Sequence, residues 1–334
     1  MYQKIRNKFR ENPTFFYACS IVASWAGVGS LMNFRTLAEN NGAAAAIIWA
    51  VFNSLACIIF GVFADRIPTV RRIMQSKAMF YFIGLLTLFQ TWTQMNGIRE
   101  IFGDTPIGTS GGTIIVYATC AIFLFMLLKD GMIRNVLSDD FSWVVVYGLL
   151  AVVVGAALIH TGGAFKAIDP GLTSSGIKTG LYKGFLLLPG PFTYPYYYSL
   201  FQYNDKNADG TKRGNIKMSF VMAGIMFGVY MALAAVLTWV NFSPLLNTLK
   251  AILITIIALS SLSTYLYSEY LVFGKKLGFA IDVISVAAWQ ILIPLGVMGV
   301  WTLMSEIRVL IIVGVWVASV FIDLTSKTVK EVVQ

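Results

Sequence analysis

The groups best placed to do chemistry in this 334-residue chain are backbone atoms freed at two interruptions of apolar stretches. The first interruption is Ala26-Gly27-Val28-Gly29-Ser30, followed by Asn33, Arg35 and Glu39-Asn40-Asn41-Gly42. Each glycine lowers helix stability by about 1 kcal/mol relative to alanine, so a helix is expected to break here. The amides of Gly27, Val28 and Gly29 would open a second half-helix and offer a partial positive pole to a carboxylate. The carbonyls near Ser24 and Trp25 would close the first half-helix and accept an ammonium. The second interruption is Leu188-Pro189-Gly190-Pro191, with Pro195 beyond it. Its prolines remove amide donors and clash with the preceding turn. A third group is the hydroxyl run Ser260, Ser261, Ser263 and Thr264. Neutral oxygens of this kind suit a hard cation such as sodium. Serines in apolar helices also hydrogen-bond within and between helices, which is the competing reading.

Other polar signals point to structure more than to chemistry. Asp205-Lys206-Asn207-Ala208-Asp209-Gly210 copies the first half of a calcium loop. Its twelfth position is Ile216 and Lys212, Arg213 and Lys217 crowd it, which argues against calcium. The single His160 reads as an interfacial residue, and Tyr194, Tyr196, Tyr197 and Tyr198 as packing and interface contacts. Asp282 is expected to pair with a cytoplasmic Lys or Arg, or to carry a proton. Cys19, Cys57 and Cys120 lie in or beside apolar stretches without metal-ligand spacing. No nucleophile–base pair, metal-ligand cluster or phosphate loop is visible, so an enzyme is not expected.

The elements that must position these groups follow from composition. The chain is 57% hydrophobic and 12% charged, with mean hydropathy +0.73. A soluble domain is nearer 25% charged, so the bilayer is the expected solvent. Ten apolar stretches reach spanning length: 14–37, 43–63, 78–97, 112–129, 141–160, 177–201, 216–240, 246–269, 279–301 and 304–323. The net charge of +9 does not indicate nucleic acid, because the charges fall in short loops between these stretches. With ten spans, eighteen of the 25 Lys and Arg fall on the side of the N-terminus, so both termini are expected in the cytoplasm. The N-terminus reads as a basic amphipathic stub without a cleavable signal.

Spans one and six, the interrupted ones, would be the first members of two sets of five. An odd number of spans per set makes the second set enter from the opposite side. That arrangement is an inverted repeat, and paired broken helices in it mark a transport site. The chain then divides into a stub (1–13), a first repeat (14–160), an extracellular loop (161–176), a second repeat (177–323) and a cytoplasmic tail (324–334).

The first interruption also carries a resemblance. Gly27-Val28-Gly29-Ser30-Leu31-Met32-Asn33-Phe34, then Glu39-Asn40-Asn41-Gly42-Ala43, looks like the first helix of the neurotransmitter:sodium symporter family. That family reads Gly-x-Gly-Asn-x-x-Arg-Phe-Pro, then Glu-Asn-Gly-Gly. Thr91-Trp92-Thr93 is similar to its Ser/Trp/Thr element, and Ala258-Leu259-Ser260-Ser261 resembles its Gly-Leu-Thr-Ser. The resemblance implies a leucine-transporter-type (APC superfamily) fold. It implies sodium held by the carbonyls of Ala23, Ala26 and Ile257 and the hydroxyls of Ser260 and Ser261. It implies pocket walls at Phe82, Leu86, Phe185, Leu188, Pro191 and Tyr265, with Phe185 as an aromatic lid. The chain departs from the family at Ser30 and Leu186, where a second sodium site would need Asn and Thr. It departs again at Leu86, which replaces a carboxylate-holding Tyr, and at Asn33, which replaces an outer-gate Arg, with Arg35 close by.

The expectation is an all-α polytopic membrane protein with ten transmembrane helices in a five-plus-five inverted repeat and broken helices one and six. Its expected function is sodium-coupled symport of a small solute, an amino acid or related amine, by alternating access. Na+ would be the coupling ion, with no other cofactor. The bilayer, the substrate and an oligomer or partner subunit are the expected partners, in an inner or plasma membrane. A proton-coupled or uncoupled exchanger of the same fold is one alternative. A non-transporting receptor or membrane-complex subunit is another.

Overall fold

A computed structural model describes residues 13–63, 72, 76–161, 169–204, 214–239, 244–292, 306–315, 317–319, 321–322 and 325. The described residues are helical almost throughout. In order the helices are α1 (Pro13–Trp25), α2 (Val28–Asn41), α3 (Ala43–Phe63), α4 (Lys77–Ile101), α5 (Gly108–His160), α6 (Ser174–Phe185), α7 (Pro195–Asn204), α8 (Ile216–Trp239), α9 (Pro244–Phe273) and α10 (Lys275–Leu292). Short 3-10 turns cover Phe102–Asp104 and Gly190–Thr193. Residues 306–315 form a further helical stretch.

Helix α1 is the axis of the molecule. Every residue from Tyr17 to Trp25 is buried, as expected of a helix that is apolar all round. It packs against α5, α8 and α9, and α9 packs in turn against α4 and α5. Helix α3 lies between α8 and α6. The α6 contact is close because Gly176, Gly180 and Gly184 share its buried face. A Cβ on Gly180 would sit 2.9 Å from the backbone of Ala45, so only a small residue fits this approach. At the corner between α2 and α3, Gly42 takes φ 85°, and the carbonyls of Asp169 and Pro170 accept the amides of Ala43 and Ala44 at 3.0 Å each. The segment before α6 therefore caps α3.

Among the described residues five helical segments are long and apolar enough to cross a membrane: Ala43–Phe63, Gly108–Leu128, Ser142–His160, Ile216–Leu237 and Asn247–Phe273. They mark the chain as a helical membrane protein. Ile114, Ile122, Phe125, Leu128, Val144, Val152 and Ile159 all lie along α5 and are each more than half exposed. Such a surface fits acyl chains better than water.

This architecture corrects the ten-span, five-plus-five arrangement. Among the described residues the five spanning segments become six at most, when the bent pair α1–α2 is taken as one span. Expected spans four and five are not separated by a turn, because helix α5 runs unbroken for 53 residues from one to the other. The stretch 78–97 lies in α4, where Gln90, Gln94, Asn96, Arg99 and Glu100 leave too little apolar length. The stretch 177–201 is divided among α6, a 3-10 turn and α7, since Pro189, Pro191 and Pro195 each withhold a helical amide. Parts of 279–301 and 304–323 lie outside the described residues. The repeat symmetry falls with the span count, and so does the charge count across ten spans. The calcium-like segment 205–210 also lies outside the described residues.

Candidate functional site

The site is built on the break between α1 and α2. The chain leaves one helix at Trp25, re-enters the next at Val28 and turns by 55°. Ending α1 here frees the last four carbonyls, those of Val22, Ala23, Ser24 and Trp25. Each finds a partner. The Ala26 amide donates to Val22 O at 2.8 Å. Ser261 Oγ on α9 donates to Ala23 O at 2.7 Å. Tyr265 Oη on α9 donates to Ser24 O at 3.2 Å. Ser30 Oγ on α2 donates to Trp25 O at 3.3 Å. Three of the four carbonyls are thus held by side-chain hydroxyls, two of them from α9.

The opposite face of the break is the start of α2. Here the Val28 amide donates to Gln94 Oε1 of α4 at 2.9 Å. Gln94 is packed so closely that a Cβ on Gly27 would meet its Nε2 at 2.6 Å. The first amide of α2 is therefore engaged by a glutamine, and the carbonyls of Ser24 and Trp25 are engaged by hydroxyls. Both poles expected to meet a zwitterion are capped from within the protein in this arrangement.

A cavity of about 230 Å³ opens beside the break. Trp25, Gly27, Gly29 and Ser30 line it from the α1–α2 side, Gln90, Thr93 and Gln94 from α4, and Tyr194, Tyr265 and Arg308 from further along the chain. Trp25 meets Tyr194 edge to face, with ring centroids 5.5 Å apart. A directed chain of hydrogen bonds crosses it. Gln90 Nε2 donates to Tyr194 Oη at 3.0 Å, Tyr194 Oη lies 3.2 Å from Tyr265 Oη, and Tyr265 Oη donates to Ser24 O at 3.2 Å. A larger apolar groove of about 350 Å³ lies among Phe34, Val51, Met231 and Trp239. It lacks the convergent donors and acceptors that orient a polar ligand.

No protein-family model matches the chain, and no curated protein matches it.

Three of the five oxygens named for sodium lie together at the end of α1. Ser261 Oγ lies 2.7 Å from Ala23 O and 3.4 Å from Ile257 O. Ala23, Ala26, Ile257, Ser260 and Ser261 are all buried. The hydroxyls of Thr255, Ser263 and Ser268 bond to carbonyls of their own helix, whereas Ser261 reaches across to α1. These are neutral oxygens only. Among the described residues no group of three or more His, Cys, Asp or Glu could hold a metal ion.

Of the residues named for the solute, Trp25, Gly27, Gly29 and Tyr265 line the cavity. Ser24 and Val28 do not line it but are bonded to lining residues, Ser24 O to Tyr265 and the Val28 amide to Gln94. Phe82 and Leu188 pack against the core, and Leu86 is buried within it. Pro191 is buried in the 3-10 turn Gly190–Thr193. Phe185 is 57% exposed and tilts against Phe52 with ring centroids 4.7 Å apart. Arg35 forms a surface pair with Glu39 at 2.7 Å. Asp282 is fully buried beside Glu269 of α9, and Glu269 Oε1 accepts from Thr91 Oγ1 at 3.0 Å.

Tyr194 was expected only as a packing and interface contact, and Gln90, Gln94 and Arg308 were not expected at the site at all. A signal existed for three of them. Gln90 and Gln94 are one helical turn apart in an apolar stretch, hence on one face. Arg308 is a charge inside the stretch 304–323, and such residues are functional by default.

Proposed function

We propose that this protein is a secondary transporter that couples a sodium ion to the movement of a small solute, an amino acid or related compound, by alternating access. The supporting observation is the hydroxyl-held end of α1. Three freed carbonyls point at hydroxyls of Ser261, Tyr265 and Ser30 in place of backbone amides. A hydroxyl can turn its proton away, and each such pair then presents two oxygens to a cation. A sodium ion seated by Ala23 O, Ser261 Oγ and Ile257 O would replace the hydrogen bond and tie α1 to α9 through the ion. Irregular backbone at membrane depth is tolerated where it is buried or lines a cavity, and here it does both. The likeness of Gly27-Val28-Gly29-Ser30 to the symporter family's first helix agrees with this use.

The membrane would be a cell membrane, inner or plasma. Lys4, Arg6, Lys8 and Arg10 directly precede α1, which favours a cytoplasmic N-terminus, and Lys327 and Lys330 favour the same side for the C-terminus.

Thermal unfolding in detergent tests the coupling ion. Sodium should raise the melting temperature above that in potassium at equal ionic strength. A ligand at one hundred times its Kd adds about 2.7 kcal/mol to the folded state. The double variant Ser260→Ala, Ser261→Ala should lose the sodium-specific rise. An unchanged rise in the variant sinks the assignment of these residues, and no rise in the wild type sinks sodium coupling.

A proton-coupled reading has its own observation. Asp282 and Glu269 are both fully buried, with their carboxyl groups side by side. Buried carboxyls in a membrane helix bundle are where a carried proton would sit. Solute uptake into liposomes driven by a pH gradient, without sodium, would decide for this reading.

A further inference from the structure

Arg308 is 9% exposed and lines the polar cavity at the α1–α2 break. Among the described lining residues it alone carries a charge. The others are neutral amides, hydroxyls and aromatic rings, with Gln90, Gln94, Tyr194 and Tyr265 nearest the chemistry. The tyrosine hydroxyls lie within electrostatic reach of the guanidinium. The planar guanidinium fork matches a carboxylate two bonds at a time. The other candidate for an anion, the first amide of α2, is already occupied by Gln94 Oε1. Gln94 Nε2 faces the Gly27 and Gly29 side of the same cavity and adds a neutral donor there.

We infer that the solute taken by this cavity carries a carboxylate and that Arg308 is the residue that binds it. This rests on the cavity being the solute site. It shifts the anion pole from the helix break to a side chain on the helical stretch 306–315. The carbonyls of Ser24 and Trp25 each accept one hydroxyl and keep a second lone pair, which would receive an ammonium or hydroxyl at the other end of the solute.

The test uses the full chain in detergent, in sodium and in potassium, with three matched probe sets. These are glycine, L-alanine and L-leucine; their α-amides; and the deaminated acids acetate, propionate and 4-methylpentanoate. The expected result is that probes bearing a carboxylate raise the melting temperature and the amides do not. Arg308→Gln should weaken the apparent affinity for the acids about tenfold or more, and Arg308→Lys should keep part of it. Amides that stabilise as well as acids, or acids that bind Arg308→Gln as tightly as wild type, overturn the role of Arg308 and leave the cavity as the solute site. If no probe of any set stabilises the wild type, the solute-site reading falls and this inference with it. Should Arg308→Gln fail to fold, the ranking of acids against amides on the wild type decides alone.

Discussion

At the scale of single residues, the α1–α2 break is held by a small number of polar bonds that differ in kind. The bond from the Val28 amide to Gln94 Oε1 satisfies a buried backbone donor. Leaving such a donor unpaired costs roughly 1–3 kcal/mol. Gln94→Leu should therefore destabilise the protein by about that amount, while Gln94→Glu, which keeps an acceptor, should cost less. Denaturant unfolding of both variants measures the difference, and equal losses would show that packing, not the hydrogen bond, is at stake. Gly27→Ala addresses the same contact from the other side. Gly27 has φ −89° and ψ 176°, which alanine adopts freely, so backbone strain is not the cost. The new methyl instead displaces the end of Gln94, which is flexible. The expected outcome is a small fall in melting temperature with a clear loss of solute binding, read by the amino acid shifts described above.

At the scale of helices, glycine and proline do opposite work on the two sides of the molecule. On α6 the glycines at 176, 180 and 184 let two helix backbones approach. In the following segment Pro189, Pro191 and Pro195 stop a helix from forming across the gap between α6 and α7. Gly180→Val adds three carbons, the first of which already sits 2.9 Å from Ala45 Cα and its carbonyl oxygen. Overpacking of this type costs typically 1–3 kcal/mol. A melting temperature within a degree of wild type would mean that α6 is held elsewhere. The same contrast separates what was readable in the chain from what was not. The break at Gly27 was legible because two glycines interrupt an apolar run. The proline segment was legible as an interruption, but not as a gap wide enough to leave two short helices. The expected spans 112–129 and 141–160 both reach spanning length, as Gly108–Leu128 and Ser142–His160, but the charged stretch between them looks like a loop in one dimension and is part of one helix, α5, in three.

At the scale of the whole molecule, burial divides α5 into a core face and a lipid face. Leu150 is fully buried and Val152, two positions on, is 63% exposed. Leu150→Ala should cost about 2–5 kcal/mol, the range for large-to-small changes in a core. Val152→Ala, which loses only contacts to lipid or detergent, should stay within about 0.5 kcal/mol. Comparable losses at the two positions would mean that another protein surface covers the exposed face.

The sequence alone determined those features that depend on composition and local geometry. Low charge and long apolar runs require helices in a bilayer, because unpaired backbone groups have no water there. Glycines at 27 and 29 dictate a break, and the hydroxyls at 260 and 261 supply neutral oxygens wherever they lie. Tertiary structure decided which groups meet. Ser261 faces Ala23, Gln94 takes the Val28 amide, and Arg308 enters the cavity from more than two hundred residues away. It also set the number of spans, since a helix continues or turns according to what packs against it. Long-range partners of this kind leave no periodic trace in a single chain, because each is fixed by the approach of two helices and not by the spacing along either one.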